Sequence, residues 1–170
     1  MAIDRQPFSA TDDLDLEPGQ RDTDAVPVRL LTRQDLDAVL RIDAAATGYS
    51  RKDFYRARLE RSQAESSVHL SLAAELDNQV VGFVTVTFYQ GEYGHPERSA
   101  SLDAIGVHPD YAGRHVAAAL MTQLEMNLRA LHVETIRTEV DWNALELIGF
   151  FHKAGLAPVP RLCLERKITR

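Results

Sequence analysis

The chain predicts an α/β fold of the α+β kind, with six strand segments and four helical segments in one domain. Three observations carry this. Val80 to Tyr89 alternates as a half-buried strand does, and a second strand pattern, Val68 to Glu75, precedes it across a short turn at Asp77-Asn78. Val116, Leu120, Leu124 and Leu128 recur every four residues and therefore share one face of a helix. At 170 residues, 45% of them hydrophobic, the chain can bury one sizeable core.

Residues 1–25 hold seven acids against Arg5 and Arg21, a net of −5 that leaves only −1 for the rest. With few large apolar side chains and a Pro18-Gly19 break, they read as a flexible acidic arm ahead of a domain spanning 26–170. Val26 to Leu31 is the first strand. Thr32, with Asp35 three residues on, makes a short capping box for a helix carrying Leu36, Val39, Leu40 and Ile42 to about Ala45. Gly48 interrupts the pattern. Ser50 caps a second helix with Phe54, Tyr55, Ala57 and Leu59, running to about Gln63.

In the hairpin, Val84, Val86 and Phe88 share one face, and Phe83, Thr85 and Thr87 the other. A polar loop, Gln90 to Arg98, follows; Tyr93 and His95 are substrate-side candidates there, with a plain solvent loop as the competing reading. Ser99 to Val107 is a fourth strand, on which simple alternation puts Ser101, Asp103 and Ile105 on one face. The long helix comes next, then a fifth strand from Val133 to Trp142. Asn143 starts a helix with Leu147, Phe150, Phe151 and Ala154, which Gly155 ends. Leu156 to Ile168, interrupted by Pro158 and Pro160, is a closing strand, with Cys163, between Leu162 and Leu164, a packed core or half-buried thiol rather than a nucleophile.

Composition narrows the function. A near-neutral domain argues against a general nucleic-acid binder, which needs a basic face to neutralise phosphates, and leaves room only for a local basic groove. No apolar run approaches the roughly 18–20 residues that span a bilayer, and the N-terminus has no basic-then-apolar secretory pattern. A single cysteine makes no internal disulfide, so the expected compartment is the reducing cytoplasm. The six histidines include no helical i, i+4 pair and there is no CxxC, so no metal site is expected. One stretch does suggest a ligand. A strand runs through Tyr111-Ala112-Gly113-Arg114-His115-Val116-Ala117 into the long helix, whose first-turn N–H groups suit a phosphate or pyrophosphate.

Ile105-Gly106-Val107-His108-Pro109-Asp110-Tyr111, then Gly113-Arg114 and Ala117-Ala118-Ala119-Leu120, resembles the acetyl-CoA-binding segment of the GNAT N-acetyltransferases. That family's Gln/Arg-x-x-Gly-x-Gly/Ala pattern falls on Ala112 to Ala117. Ala117 fits it, Ala112 stands for the Gln/Arg, and His115 for the first glycine. Asn143 followed by Phe151-His152-Lys153-Ala154-Gly155-Leu156 is similar to the family's second cofactor segment. The element order over 26–168 also matches the GNAT fold, a central mixed, mostly antiparallel sheet splayed at strands 4 and 5 and flanked by helices.

The resemblance implies acetyl-CoA, or coenzyme A, in the gap between those strands. Its pantetheine arm would pair with Ile105 to Val107, and the amides of Gly113, Arg114, His115, Val116, Ala117 and Ala118 would take the pyrophosphate, with a charged contact from Arg114. Asn143 would bond the arm while capping its helix. Phe151 would pack against it, where many members carry a proton-donating tyrosine. The Val107 N–H would donate to the thioester oxygen. Ser101 and Asp103 match positions of catalytic groups in some members, and Asp103 is the candidate base, with a structural aspartate the equal alternative. Water or another hydroxyl such as Tyr111 would supply the leaving-group proton.

The acceptor implied is a primary amine, on a small molecule or as a protein amino group. It would be bordered by the first two helices, where Tyr49, Phe54 and Tyr55 either line the site or pack. The resemblance also allows a homodimer through late strands. A second function stays open because of Ala112, His115 and Phe151: a catalytically weak or inactive module of this fold that binds coenzyme A or a protein partner.

Overall fold

The computed structural model describes residues 26–57, 70–90 and 98–168. Five strands, β1 (Val28–Leu30), β2 (Leu72–Leu76), β3 (Gln79–Gln90), β4 (Arg98–Val107) and β5 (Thr135–Arg137), form one sheet in the order β1-β2-β3-β4-β5. Neighbours pair antiparallel except β4 and β5, which are parallel. The helices are α1 (Leu36–Thr47), α2 (52–57), α3 (Val116–Ala130) and α4 (Leu145–Lys153). The mixed, mostly antiparallel sheet flanked by helices is therefore the architecture adopted. The acidic arm, the end of the second helix and the loop with Tyr93 and His95 lie outside the described residues.

Local chemistry sets the element ends. Asp35 accepts from the Thr32 N–H at 2.7 Å and the Thr32 hydroxyl at 2.9 Å, closing the turn that opens α1. Arg29 grips Asp35 through both terminal nitrogens at 2.7 and 2.8 Å and reaches Glu75, tying β1 to β2 and to the helix entrance. Burial pushes the Asp35 carboxyl up, but Arg29 and Thr32 outweigh it and hold it below the usual carboxylate range. Gly48 ends α1 in the left-handed region at φ 77°. Asp77 and Asn78 both have positive φ, 53° and 60°, as a two-residue type I′ hairpin turn requires. At the end of α4 the Leu156 N–H bonds the Phe151 carbonyl and the Gly155 N–H that of His152, a Schellman closure with Gly155 at φ 84°.

Both faces of the sheet are covered. Against one lies α3, whose Val116, Leu120, Leu124 and Leu128 are buried as their spacing predicts, together with Leu72, Val84, Leu102, Phe150 and Phe151. Against the other lie Val39 and Ile42 of α1 and Tyr55 of α2, packed with Ala73 and Phe83. Gly82 makes the first contact possible. A Cβ there would sit 2.6 Å from Val116 Cγ1 and 3.2 Å from Leu120 Cδ1. Valine is stiff about χ1 and cannot swing aside. Gly82→Ala is therefore expected to force α3 off the sheet and cost about 1–3 kcal/mol of stability by urea unfolding.

Three expectations need correction. β5 covers only Thr135–Arg137, and Trp142, placed at its end by alternation, is 87% exposed. Thr138 explains the early end, because its hydroxyl rather than its backbone bonds the Leu102 carbonyl, at 3.0 Å. Asn143 is not the N-cap of α4. A turn closed by the Ala144 N–H on the Asp141 carbonyl holds Trp142 and Asn143, and the cap is Ala144. The closing strand does not form either. Residues 157–168 have no strand, and Leu162, Leu164 and the free Cys163 between them are exposed. Alternation describes a strand that has a partner edge, and the proline-interrupted segment has none here.

Candidate active site

The centre of the site is the point where β4 and β5 part. They pair at Ser99–Thr135, Ala100–Ile136 and Ser101–Arg137, and no further. β4 runs on to Val107 against β3 alone. The His108 N–H donates to the Val81 carbonyl at 2.8 Å, next to the Gly82–Val107 pair. In an antiparallel ladder this makes Gly82–Val107 a non-hydrogen-bonded pair, so the Val107 N–H and C=O point away from β3, towards the gap. Ile105, two residues back, presents its backbone to the same side. Both predicted backbone contacts thus line one open edge.

A bulge sits beside that edge. Thr85 pairs with Ala104 and Val86 with Leu102, which leaves Asp103 as the extra residue of β4. The bulge reverses the alternation. Ala100 and Leu102 face α3 before it, and Ile105 and Val107 face α3 after it. Ser101, Asp103 and Ile105 therefore do not share a face, contrary to the simple reading. Asp103 lies with Ser101 and Thr87 on the α1 side, where the Thr87 hydroxyl donates to its Oδ2 at 2.8 Å. The half-buried carboxylate is held in one direction at the mouth of the gap.

From Val107 the chain turns through a 3-10 turn, Pro109–Tyr111, into α3. Gly113 (φ 72°) and His115 (φ 57°) are both left-handed, and His115 is the N-cap of α3. The first intrahelical acceptor, the His115 carbonyl, is taken by the Ala119 N–H, so the Val116, Ala117 and Ala118 amides have no acceptor within the helix. Gly113, Arg114, His115, Val116, Ala117 and Ala118 thus form a continuous donor-rich turn one step beyond the gap. Arg114 is exposed with its guanidinium 5.0 Å from the Tyr111 ring centroid.

His115 occupies a conformation that favours glycine, although histidine tolerates it better than most. His115→Gly is expected to raise stability by up to about 1 kcal/mol, read as a higher urea midpoint. A lower midpoint would mean that the imidazole's own contacts outweigh the backbone cost.

Across the gap, Asn143 is exposed in the turn before α4, while Phe151 is buried at 5% exposure beside Phe150 in the α3-side core. The structure therefore gathers Asp103, Ile105, Val107 and residues 113–118 on one continuous run, and leaves Asn143 and Phe151 on the separate β5–α4 wall. Thr87, Thr138 and Gly82 were missed from sequence. The bulge had left a trace: the apolar phase of β4 shifts from even positions (Ala100, Leu102) to odd ones (Ile105, Val107). Two pockets of about 480 and 270 Å³ lie elsewhere, one beside Leu72 and Asn127, the other beside Arg41 and His108, and neither is lined by Asp103. No helix among the described residues is long and apolar enough to cross a membrane.

The model of the Acetyltransferase (GNAT) family matches residues 36–156. An acetyltransferase of Pectobacterium atrosepticum is 32% identical over 99 residues, a match spanning 58% of this chain and 65% of that relative, just under two thirds of its length. Among solved structures, a ribosomal-protein-alanine N-acetyltransferase from Brucella melitensis superposes with a TM-score of 0.66 at 22% identity, covering 85% of this chain and all of the other. An aminoglycoside N-acetyltransferase in complex with CoA gives 0.70 at 16% identity, covering 84% and 94%. At these identities the structural likeness shows the fold alone.

Proposed function

Because this chain belongs to the GNAT acetyltransferase family, we propose that it is an acetyl-CoA-dependent N-acetyltransferase acting on a primary amine, of a small molecule or of a protein. The observation that carries the reading is the parting of β4 from β5, with the Ile105–Val107 backbone facing the gap and leading directly into the donor-rich start of α3. The domain is residues 26–170, with 1–25 an acidic arm. The setting is a reducing cytoplasm, which the single cysteine supports.

Acetyl-CoA, when bound, supplies an acyl group on a thioester. The Ile105 and Val107 backbone would pair with the extended arm as a further strand does. The amides at 113–118 suit its pyrophosphate by geometry and by the helix dipole. The Val107 N–H is the preorganised donor for charge growing on the carbonyl oxygen. Asp103, oriented by Thr87, accepts the proton of the incoming ammonium, directly or through one water, so that the neutral amine attacks. Phe151 has no proton to give, so the departing thiolate takes its proton from water or from a hydroxyl such as that of Tyr111.

The alternative, a weak or inactive coenzyme A-binding or partner-binding module, draws on the buried Phe151 and on the Arg114 guanidinium resting over Tyr111. Calorimetric titration with coenzyme A, run beside thiol release from acetyl-CoA over a panel of primary amines, separates the two. Binding with amine-dependent release is the result expected; binding without release on any amine favours the module. Failure to bind coenzyme A would remove the enzyme and the coenzyme A-binding module, and leave only the partner-binding form.

A further inference from the structure

The cavity of about 270 Å³ beside Arg41 and His108 is separate from the gap between β4 and β5: neither Ile105, Val107 nor any of residues 113–118 lines it. It is bounded by α1, by the start of β3 and by the turn that follows β4. Four of its lining side chains can donate hydrogen bonds. The Arg41 guanidinium has no hydrogen bond or ion pair among the described residues, and neither the Gln79 side-chain amide nor the Tyr111 hydroxyl has a partner there. His108 is the fourth. Its Nδ1 accepts from the Asp110 N–H at 3.3 Å, and a neutral imidazole that accepts at Nδ1 carries its proton on Nε2, as a donor. The turn is held in place: the His108 N–H donates to the Val81 carbonyl at 2.8 Å, and the His108 and Tyr111 rings meet edge to face at 6.1 Å. One carboxylate opposes these donors, that of Asp110, and its side chain is 82% exposed and so screened by water.

We propose that this cavity is a second binding site, for a small free anion with a carboxylate or phosphate head, gripped by Arg41 and oriented by Gln79, His108 and Tyr111. An unpaired guanidinium among neutral donors is complemented by an occupant that only accepts and is negatively charged. The planar fork of arginine matches the two oxygens of either head group. Ala38, Ile42 and Val80 supply apolar lining for a short body behind the head, the usual composition of a ligand pocket. Size bounds the occupant. At about 270 Å³ the cavity falls below the roughly 300–1,000 Å³ of pockets for drug-sized ligands, which excludes coenzyme A itself. The inference stands whether or not the gap between β4 and β5 runs acyl transfer.

Inorganic phosphate and butyrate, titrated separately at constant ionic strength into the isotopically labelled full chain, test it by NMR. Saturable shifts centred on residues 41, 79–81, 108 and 111 are expected with at least one of them, and the anion that saturates at lower concentration identifies the head group. Arg41→Gln should weaken that binding about 10- to 100-fold, the worth of a charged hydrogen bond. Its unfolding should stay near native, because the side chain has no partner to lose. Ala38→Leu should abolish binding by filling the cavity with a side chain that helices favour. Should that variant disturb the fold, seen by circular dichroism, Arg41→Gln alone decides. The proposal is overturned if neither anion saturates, if the shifts centre on residues 113–118 instead, or if native affinity survives in either folded variant.

Discussion

Replacing Asp103 by asparagine is expected to lower turnover about 100- to 10,000-fold, the range that general base assistance contributes, while leaving the KM for acetyl-CoA near its native value. The split follows from the geometry. Asparagine keeps the size of the side chain and an oxygen for the Thr87 hydroxyl, so the bulge in β4 is retained. What disappears is the basic carboxylate that accepts the ammonium proton. Cofactor grip, by contrast, is assigned to the backbone of Ile105 and Val107 and to the amides at the start of α3, none of which the substitution touches. The assay uses the best amine found in the panel and reports kcat and both KM values. Native turnover in the variant would make Asp103 a structural aspartate and place the base elsewhere. Thr87→Val gives a graded companion: the carboxylate stays but loses one anchor, so a smaller loss is expected.

Most of the sheet and helix order was legible because long periodic segments report their own burial. The Val116 to Leu128 row and the hairpin about Asp77-Asn78 needed no tertiary information. The errors lie where a single contact decides. Alternation carried β5 through to Trp142, but one hydroxyl, that of Thr138, takes the carbonyl at which backbone pairing would have continued. Alternation likewise wrote Leu156 to Ile168 as a strand, since a pattern records a preferred face without saying which edge receives it. Asn143 has the residue type of a cap, yet a turn placed ahead of the helix claims it. For the site, the β4–turn–α3 run was readable because it is contiguous in sequence. Asp103's orientation was not, because it depends on a bulge that alternation smooths over.

The same limit hid a buried, hydrogen-bonded carboxylate on α1, Asp43, and its removal is expected to have a large effect on stability. Asp43 sits on the buried side of α1 beside Ile42, only 3% exposed. Arg51, just past the Gly48 turn, binds both its carboxylate oxygens, through Nε to Oδ2 at 2.9 Å and through Nη2 to Oδ1. The Tyr55 hydroxyl donates to Oδ1 at 2.8 Å and accepts from Arg51 at 2.9 Å. The group therefore joins α1 to α2, the two helices that cover the face bearing Asp103. Asp43→Ala would leave a guanidinium and a phenol without their acceptor. The expected cost is about 3 kcal/mol, the low end for a broken buried pair, because Arg51 remains a third exposed and can reach water. At this chain length that corresponds to a melting temperature lower by roughly 6–12 °C.

Tyr55→Phe keeps the ion pair and removes the two hydrogen bonds of the hydroxyl, so about 1–3 kcal/mol is expected. It also carries a pH signature. Burial, and then the Asp43 charge, raise the Tyr55 hydroxyl above its ordinary value. A raised folded value means that its contribution is complete below the unfolded value of roughly 10 and declines as pH rises beyond it. Native protein should lose stability along that alkaline limb, and Tyr55→Phe should lose less. If Asp43→Ala melts with the native chain, the triad is a surface pairing of little worth, and the packing of Val39, Ile42 and Phe83 alone holds α1 and α2 in place.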